Sequence, residues 1–77
     1  MMKTYTIMID SIIAAKTFVN IVNTCEFDID LESGRYLVDA KSIMGIFSLD
    51  LSKEIKLVIH SDDAEAFIKE IKPFIVK

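Results

Sequence analysis

The residues that could do chemistry in this chain are few. It holds one histidine, His60, and one cysteine, Cys25. The alternating stretch Glu26-Phe27-Asp28-Ile29-Asp30 sets three carboxylates on one face of a strand. Together with His60 they are the best set for proton transfer or for holding a ligand. An alternating acidic row is ordinarily a solvated face, and no pocket motif or nucleophile–base pair accompanies this one. Two serines, Ser11 and Ser42, each stand directly before an apolar helical pattern. A hydroxyl in that place accepts from the free N–H groups of the first turn and caps the helix. The same place suits a phosphate, because the helix terminus favours negative charge. Ser11 has no adjacent base and is read as a cap rather than a nucleophile. Cys25 is read as a small buried hydrophobe.

The elements that position these residues follow from periodicity. Thr4 to Ile9 alternates, with Tyr5, Ile7 and Ile9 on one face, and predicts a half-buried strand. Asp10-Ser11 then caps a three-turn helix whose apolar stripe is Ala15, Phe18, Val19 and Val22. A second strand runs from Glu26 to Leu31 with Phe27, Ile29 and Leu31 inward. Glu32-Ser33-Gly34 makes a tight turn with glycine at positive φ, and Tyr36 to Ala40 returns as the other arm. Arg35 lies within reach of Glu32 or Asp30 for an exposed pair. Ser42 caps a short helix through Leu49, and Gly45 costs that helix about 1 kcal/mol relative to alanine. Ile55 to Ser61 is the fourth strand, with Ile55, Leu57 and Ile59 inward and His60 on the water side beside Lys56 and Val58. Asp62-Asp63 caps a last helix carrying Phe67, Ile68, Ile71, Phe74 and Ile75, and Pro73 bends or frays its end. The order is β-α-β-β-α-β-α, a two-layer α+β sandwich with the acidic strand faces in water.

Composition limits what such a fold can do. At 77 residues and 52% hydrophobic content, the expectation is one domain over residues 1–77 that uses nearly all its apolar side chains. Nine basic against twelve acidic residues, net charge −3, argue against a phosphate backbone as partner. A lone cysteine excludes an internal disulfide framework and suits a reducing compartment. No apolar run spans a bilayer, and Met1 to Tyr5 lacks the apolar stretch of a signal peptide. The chain is therefore expected to be cytoplasmic, without nucleic-acid partner, membrane insertion, metal or cofactor.

From Ala40 the string AKSIMGIFSLDLSKEIKLVIHSD resembles the stretch around the regulatory serine of HPr, the histidine-containing phosphocarrier of the bacterial sugar phosphotransferase system. The resemblance extends over roughly Lys3 to Ile75 and includes the element order. It implies an open-faced sandwich whose antiparallel sheet has strand order 1-4-2-3 and is covered by three helices. In that family the phosphoryl group rides on a histidine at the start of the first helix, followed by an arginine and a proline. Anchoring on Phe18-Val19 and Ser42 puts Ser11 at the histidine, Ile13 at the arginine and Ala14 at the proline. Anchoring on the first strand shortens that loop. Neither register supplies a histidine or arginine, so the resemblance implies a member that has lost the phosphoacceptor.

The resemblance also implies that Ser42 is a phosphorylation candidate and that Ile43, Met44 and Phe47 bind partner proteins. Those partners would be phosphotransferase-system components or a transcriptional regulator. The expected function is a non-enzymatic regulatory or adaptor module. The alternative is a small enzyme or ligand-binding domain on the open sheet face, using His60, Glu26, Asp28 and Asp30.

Overall fold

The computed structural model describes residues 3–76. Strand β1 (Lys3–Ile7) leads into helix α1 (Ile12–Val22). The hairpin of β2 (Ile29–Ser33) and β3 (Tyr36–Asp39) follows. After it come α2 (Ile43–Phe47), β4 (Ile55–Ile59), α3 (Glu65–Glu70) and a 3-10 turn, Lys72–Phe74. All strand pairs are antiparallel, and the sheet order is β1-β4-β2-β3. This is the α+β open-faced sandwich expected from the sequence.

The alternation in each strand decides which face it buries. Ile7, Ile29, Leu31, Ile55, Leu57 and Ile59 are buried against the helices, and α1 answers with Ala15, Phe18, Val19 and Val22. Each large apolar side chain buried this way contributes about 1.5–3 kcal/mol. Phe18 meets Phe74 edge-on, with ring centroids 5.5 Å apart, so the chain's last turn is tied to α1. Gly34, at φ 59°, makes the two-residue hairpin loop with Arg35 possible.

The two edges of the sheet are finished differently. Beyond β1 the chain's end adds a short antiparallel bridge, Ile7 to Ile75. In it the Met8 N–H donates to Phe74 O at 2.9 Å and the Val76 N–H to Thr6 O at 2.9 Å. Among the described residues β3 has no such cover.

Several expectations are corrected. Asp62 and Asp63 do not cap α3: its N-cap is Ala64, with no side-chain bond to the helix, and the Asp63 N–H instead donates to Ser61 Oγ at 3.1 Å. Ser61 Oγ closes a turn just ahead of the helix, which starts later, at Glu65. β2 begins at Ile29 rather than Glu26, since Glu26 and Phe27 belong to the approach loop, where Phe27 packs edge-on against Phe67. β4 ends at Ile59, so Ser61 lies past it. Val58 faces the open side yet is buried, opposite Thr4 of β1 and Asp30 of β2. At Pro73 the α-helix has already stopped at Glu70, and proline sits in the 3-10 turn, where its missing N–H costs nothing. Arg35 makes no ion pair with Glu32 or Asp30 among the described residues. Met1, Met2 and Lys77 lie outside the described residues.

Candidate functional site

Both serines singled out in the sequence stand at helix N-termini. Ser11 has extended backbone and its Oγ accepts from the Ala14 N–H at 3.0 Å. Ser42 is likewise extended, and its Oγ accepts from the Gly45 N–H at 3.1 Å. Each bond satisfies a donor that the helix itself leaves free. Asp39 prepares the second cap: its Oδ1 accepts from the Lys41 N–H at 2.9 Å, turning the chain out of β3 into α2. Asn23, just after α1, donates from Nδ2 to Lys41 O at 3.4 Å, so the end of α1 meets the start of α2.

Helix α2 is too short to bury all its apolar residues. Ile46 is fully buried, Ile43 is half-buried against the core, Met44 is 75% exposed and Phe47 40%. Of the three residues expected to bind partners, Met44 and Phe47 present free apolar surface, while most of Ile43 belongs to the core. Sequence reasoning missed two further exposed apolar residues of the helical layer, Ile12 and Ile13, exposed by 63% and 77%. α1 starts at the end of the sheet marked by the Ile7–Ile55 pair, and α2 points toward that end from the other. The signal in the sequence was a pair of adjacent isoleucines at a helix start, of which Ile13 falls off the apolar stripe.

The carboxylates and the histidine gather elsewhere. His60 Nε2 lies 2.8 Å from Asp30 Oδ2, and the His60 N–H donates to Asp28 O at 3.0 Å. Asp30 opposes Asp39 across the hairpin. Asp28, Asp30, Asp39 and His60 line a shallow, polar hollow of about 340 Å³ on the open face. Glu26, expected with them, lines a different hollow at the sheet's end with Cys25, Phe27 and Phe67. Among the described residues no three His, Cys, Asp or Glu side chains are placed to hold a metal ion. Cys25 is half-buried rather than fully enclosed. Burial pushes its thiol pKa up, partly offset by hydrogen bonding with Thr24 and by the Lys41 charge. Asp50 is held below the usual carboxylate range by the hydroxyl and N–H of Ser52.

Fold and sequence agree on a family. Residues 12–77 match the family described as PTS HPr component phosphorylation site. The chain belongs to the HPr family of phosphocarrier proteins of the phosphotransferase system. Among solved structures it is similar to HPr-C-His from Thermoanaerobacter tengcongensis, at 35% identity and TM-score 0.77, covering 92% of this chain and 88% of that one. It is also similar to the phosphocarrier protein HPr of Bacillus anthracis, at 26% identity and TM-score 0.73, over 96% of both chains. A third similar structure is the catabolite repression containing protein Crh of Bacillus subtilis, described as an intertwined dimer with a swapping domain. It has 25% identity and TM-score 0.65, over 92% of this chain and 88% of that one. No curated protein sequence matches. Among the described residues no helix is long and apolar enough to cross a membrane.

Proposed function

We propose that this chain is a single HPr-like domain, residues 1–77, that has given up the phosphocarrier step and works as a cytoplasmic regulatory or adaptor module. The observation that carries the reading is the occupant of the α1 N-terminus. Ser11 caps the helix there, at the position matched to the family's phosphohistidine, followed by Ile12, Ile13 and Ala14. The only imidazole, His60, follows β4 at the opposite end of the sheet and on its opposite face. A serine hydroxyl with no base beside it is a poor reversible phosphoryl acceptor, and Asp10 adds a repelling charge. The chain is then not an enzyme, and it needs no cofactor.

What it keeps is a binding surface with a control point. Met44 and Phe47, with the edge of Ile43, give the helical layer exposed apolar area of the kind that marks a protein interface. Ser42 stands at its border. A phosphate on Ser42 adds about −1.5 to −2 charges at a helix start, which the fold tolerates and an apolar partner surface does not. The partners of this reading are phosphotransferase-system components or a transcriptional regulator. Incubation with phosphoenolpyruvate, enzyme I and this chain tests it: the expected result is no labelled protein. An acid-labile phosphate on any residue would overturn it.

The second reading, a ligand site on the open face, draws on the 2.8 Å contact of His60 with Asp30. Three aspartates around one imidazole repel anions, and Glu26 stands apart in another hollow. That reading is the weaker one.

A further inference from the structure

We propose that two copies of this chain associate through the outer edge of β3, forming one continuous antiparallel sheet about a two-fold axis at Leu37. The sheet has two outer strands, β1 and β3. Residues 74–76 cover the Thr6–Ile7 end of β1, whereas among the described residues no segment covers β3, which leaves outward backbone groups unmatched. The hydrogen-bond phase shows which groups these are. The Ala40 N–H donates to Ile29 O, so Ala40, Val38 and Tyr36 turn their N–H and C=O toward β2. Leu37 and Asp39 therefore turn theirs outward; the Asp39 C=O already accepts from the Ser42 N–H at 3.0 Å, so the unmatched groups are the Leu37 N–H and C=O and the Asp39 N–H. Bare edges of this kind pair with another strand unless charge, proline or a bulge prevents it, and none of these interrupts Tyr36-Leu37-Val38.

Self-pairing also explains the side chains on this edge. Tyr36 and Leu37 are each 64% exposed. With Leu37 opposite Leu37 of the second copy, the two residues exchange both N–H···O=C bonds, and their side chains meet on the open face. In the same register Tyr36 faces the copy's Val38, and Arg35, the turn residue just before β3, is brought beside the copy's Asp39, twice by symmetry. Arg35 makes no ion pair within the chain among the described residues, and Asp39 keeps Oδ2 free of the Lys41 N–H that its Oδ1 accepts. A protein with net charge −3 resists random association, and these two pairs offset that repulsion where the edges meet. The edge is short, so the association is weak and depends on concentration.

Sedimentation equilibrium of the full chain up to about 1 mM should show a monomer–dimer equilibrium. Arg35→Glu puts like charges face to face twice, as does Asp39→Lys, and each should weaken self-association by about tenfold or more. An equimolar mixture of these two variants should recover dimer, because both cross pairs become opposite in sign. Leu37→Cys, made with Cys25→Ser, should cross-link into a disulfide dimer under mild oxidation, since opposed residues at a hydrogen-bonded pair lie within bridging distance. A chain monomeric throughout that range overturns the proposal. So does a dimer that Arg35→Glu leaves intact or that Leu37→Cys fails to cross-link, because such a dimer uses another contact.

Discussion

His60 Nε2 and Asp30 Oδ2 stand 2.8 Å apart, joining the residue that follows β4 to strand β2 on the face of the sheet that no helix covers. Both side chains are about one-third exposed, so water screens the pair and its worth stays small. Replacing His60 by glutamine should change the unfolding free energy by less than about 1 kcal/mol at neutral pH. Urea denaturation of the two proteins measures this. A loss well above that would mean the contact organises the whole open face.

Ser42→Ala should cost about 1 kcal/mol through the lost bond to the Gly45 N–H, and Ser42→Asp should restore most of it, because a carboxylate caps equally well. Partner affinity is expected to move the other way. Ser42→Asp should weaken binding while Ser42→Ala leaves it nearly unchanged, and Met44→Ala should weaken it alone. If Met44→Ala binds as wild type does, the apolar surface of α2 is not the interface.

Gly45→Ala should gain less than the roughly 1 kcal/mol that alanine brings to an open helical position. A Cβ there meets Val38 Cβ at 3.3 Å and Ser42 Oγ at 3.4 Å, so strand β3 must give slightly. Thermal unfolding of the variant decides it. A full gain would show that α2 shifts away from β3 without resistance.

Cys25 contributes to a dependence on high pH. Burial raises its folded pKa, so below the unfolded-state pKa both states keep the proton and stability is at its full value. As pH rises past about 8.5 the unfolded chain loses the proton first, and stability falls until the folded thiol titrates too. Cys25→Ala should flatten this decline above pH 8.5. Equal slopes for the two proteins would show that another group is responsible.

Phe74→Ala should cost about 2 kcal/mol, less than a fully enclosed phenylalanine, because the ring is only partly buried against Phe18. Chemical denaturation checks the value. A cost near zero would mean that the last turn is not held by that contact.

The strand and helix faces were readable wherever local periodicity and burial agree, as in Ile55-Lys56-Leu57 or the Phe18-Val19-Val22 stripe. The sheet order was not readable from periodicity, because alternation says which face is buried and not which strand is the neighbour. It came from the likeness to a known family. Reading failed at Asp62-Asp63, two good capping residues that lie ahead of the helix in a turn closed by Ser61 Oγ, while Ala64 took the cap. It failed again at Val58, which is buried on the open face between Thr4 and Asp30, residues of flanking strands that are far from it in sequence. Ser11 and Ser42 were legible because capping is a local event. The gathering of Asp39 with His60, Asp28 and Asp30 was not, since it depends on hairpin register and on the position of β4 in the sheet.

The pairing of β1 with β4 and with residues 74–76 also orders events in time. As the chain is synthesised, residues 3–7 appear early, yet both segments that hydrogen-bond to them come from the last third of the sequence. The hairpin β2–β3 can form as soon as residues 29–39 are free, but β1 must wait, its apolar face uncovered, until β4 and the final turn arrive. Contacts that join distant parts of a chain are also the slow ones to form. The rate of folding should therefore respond to changes at Ile7, Leu57 or Phe74 more than to changes in the hairpin, and a ribosome stalled before residue 55 would carry a strand without a neighbour.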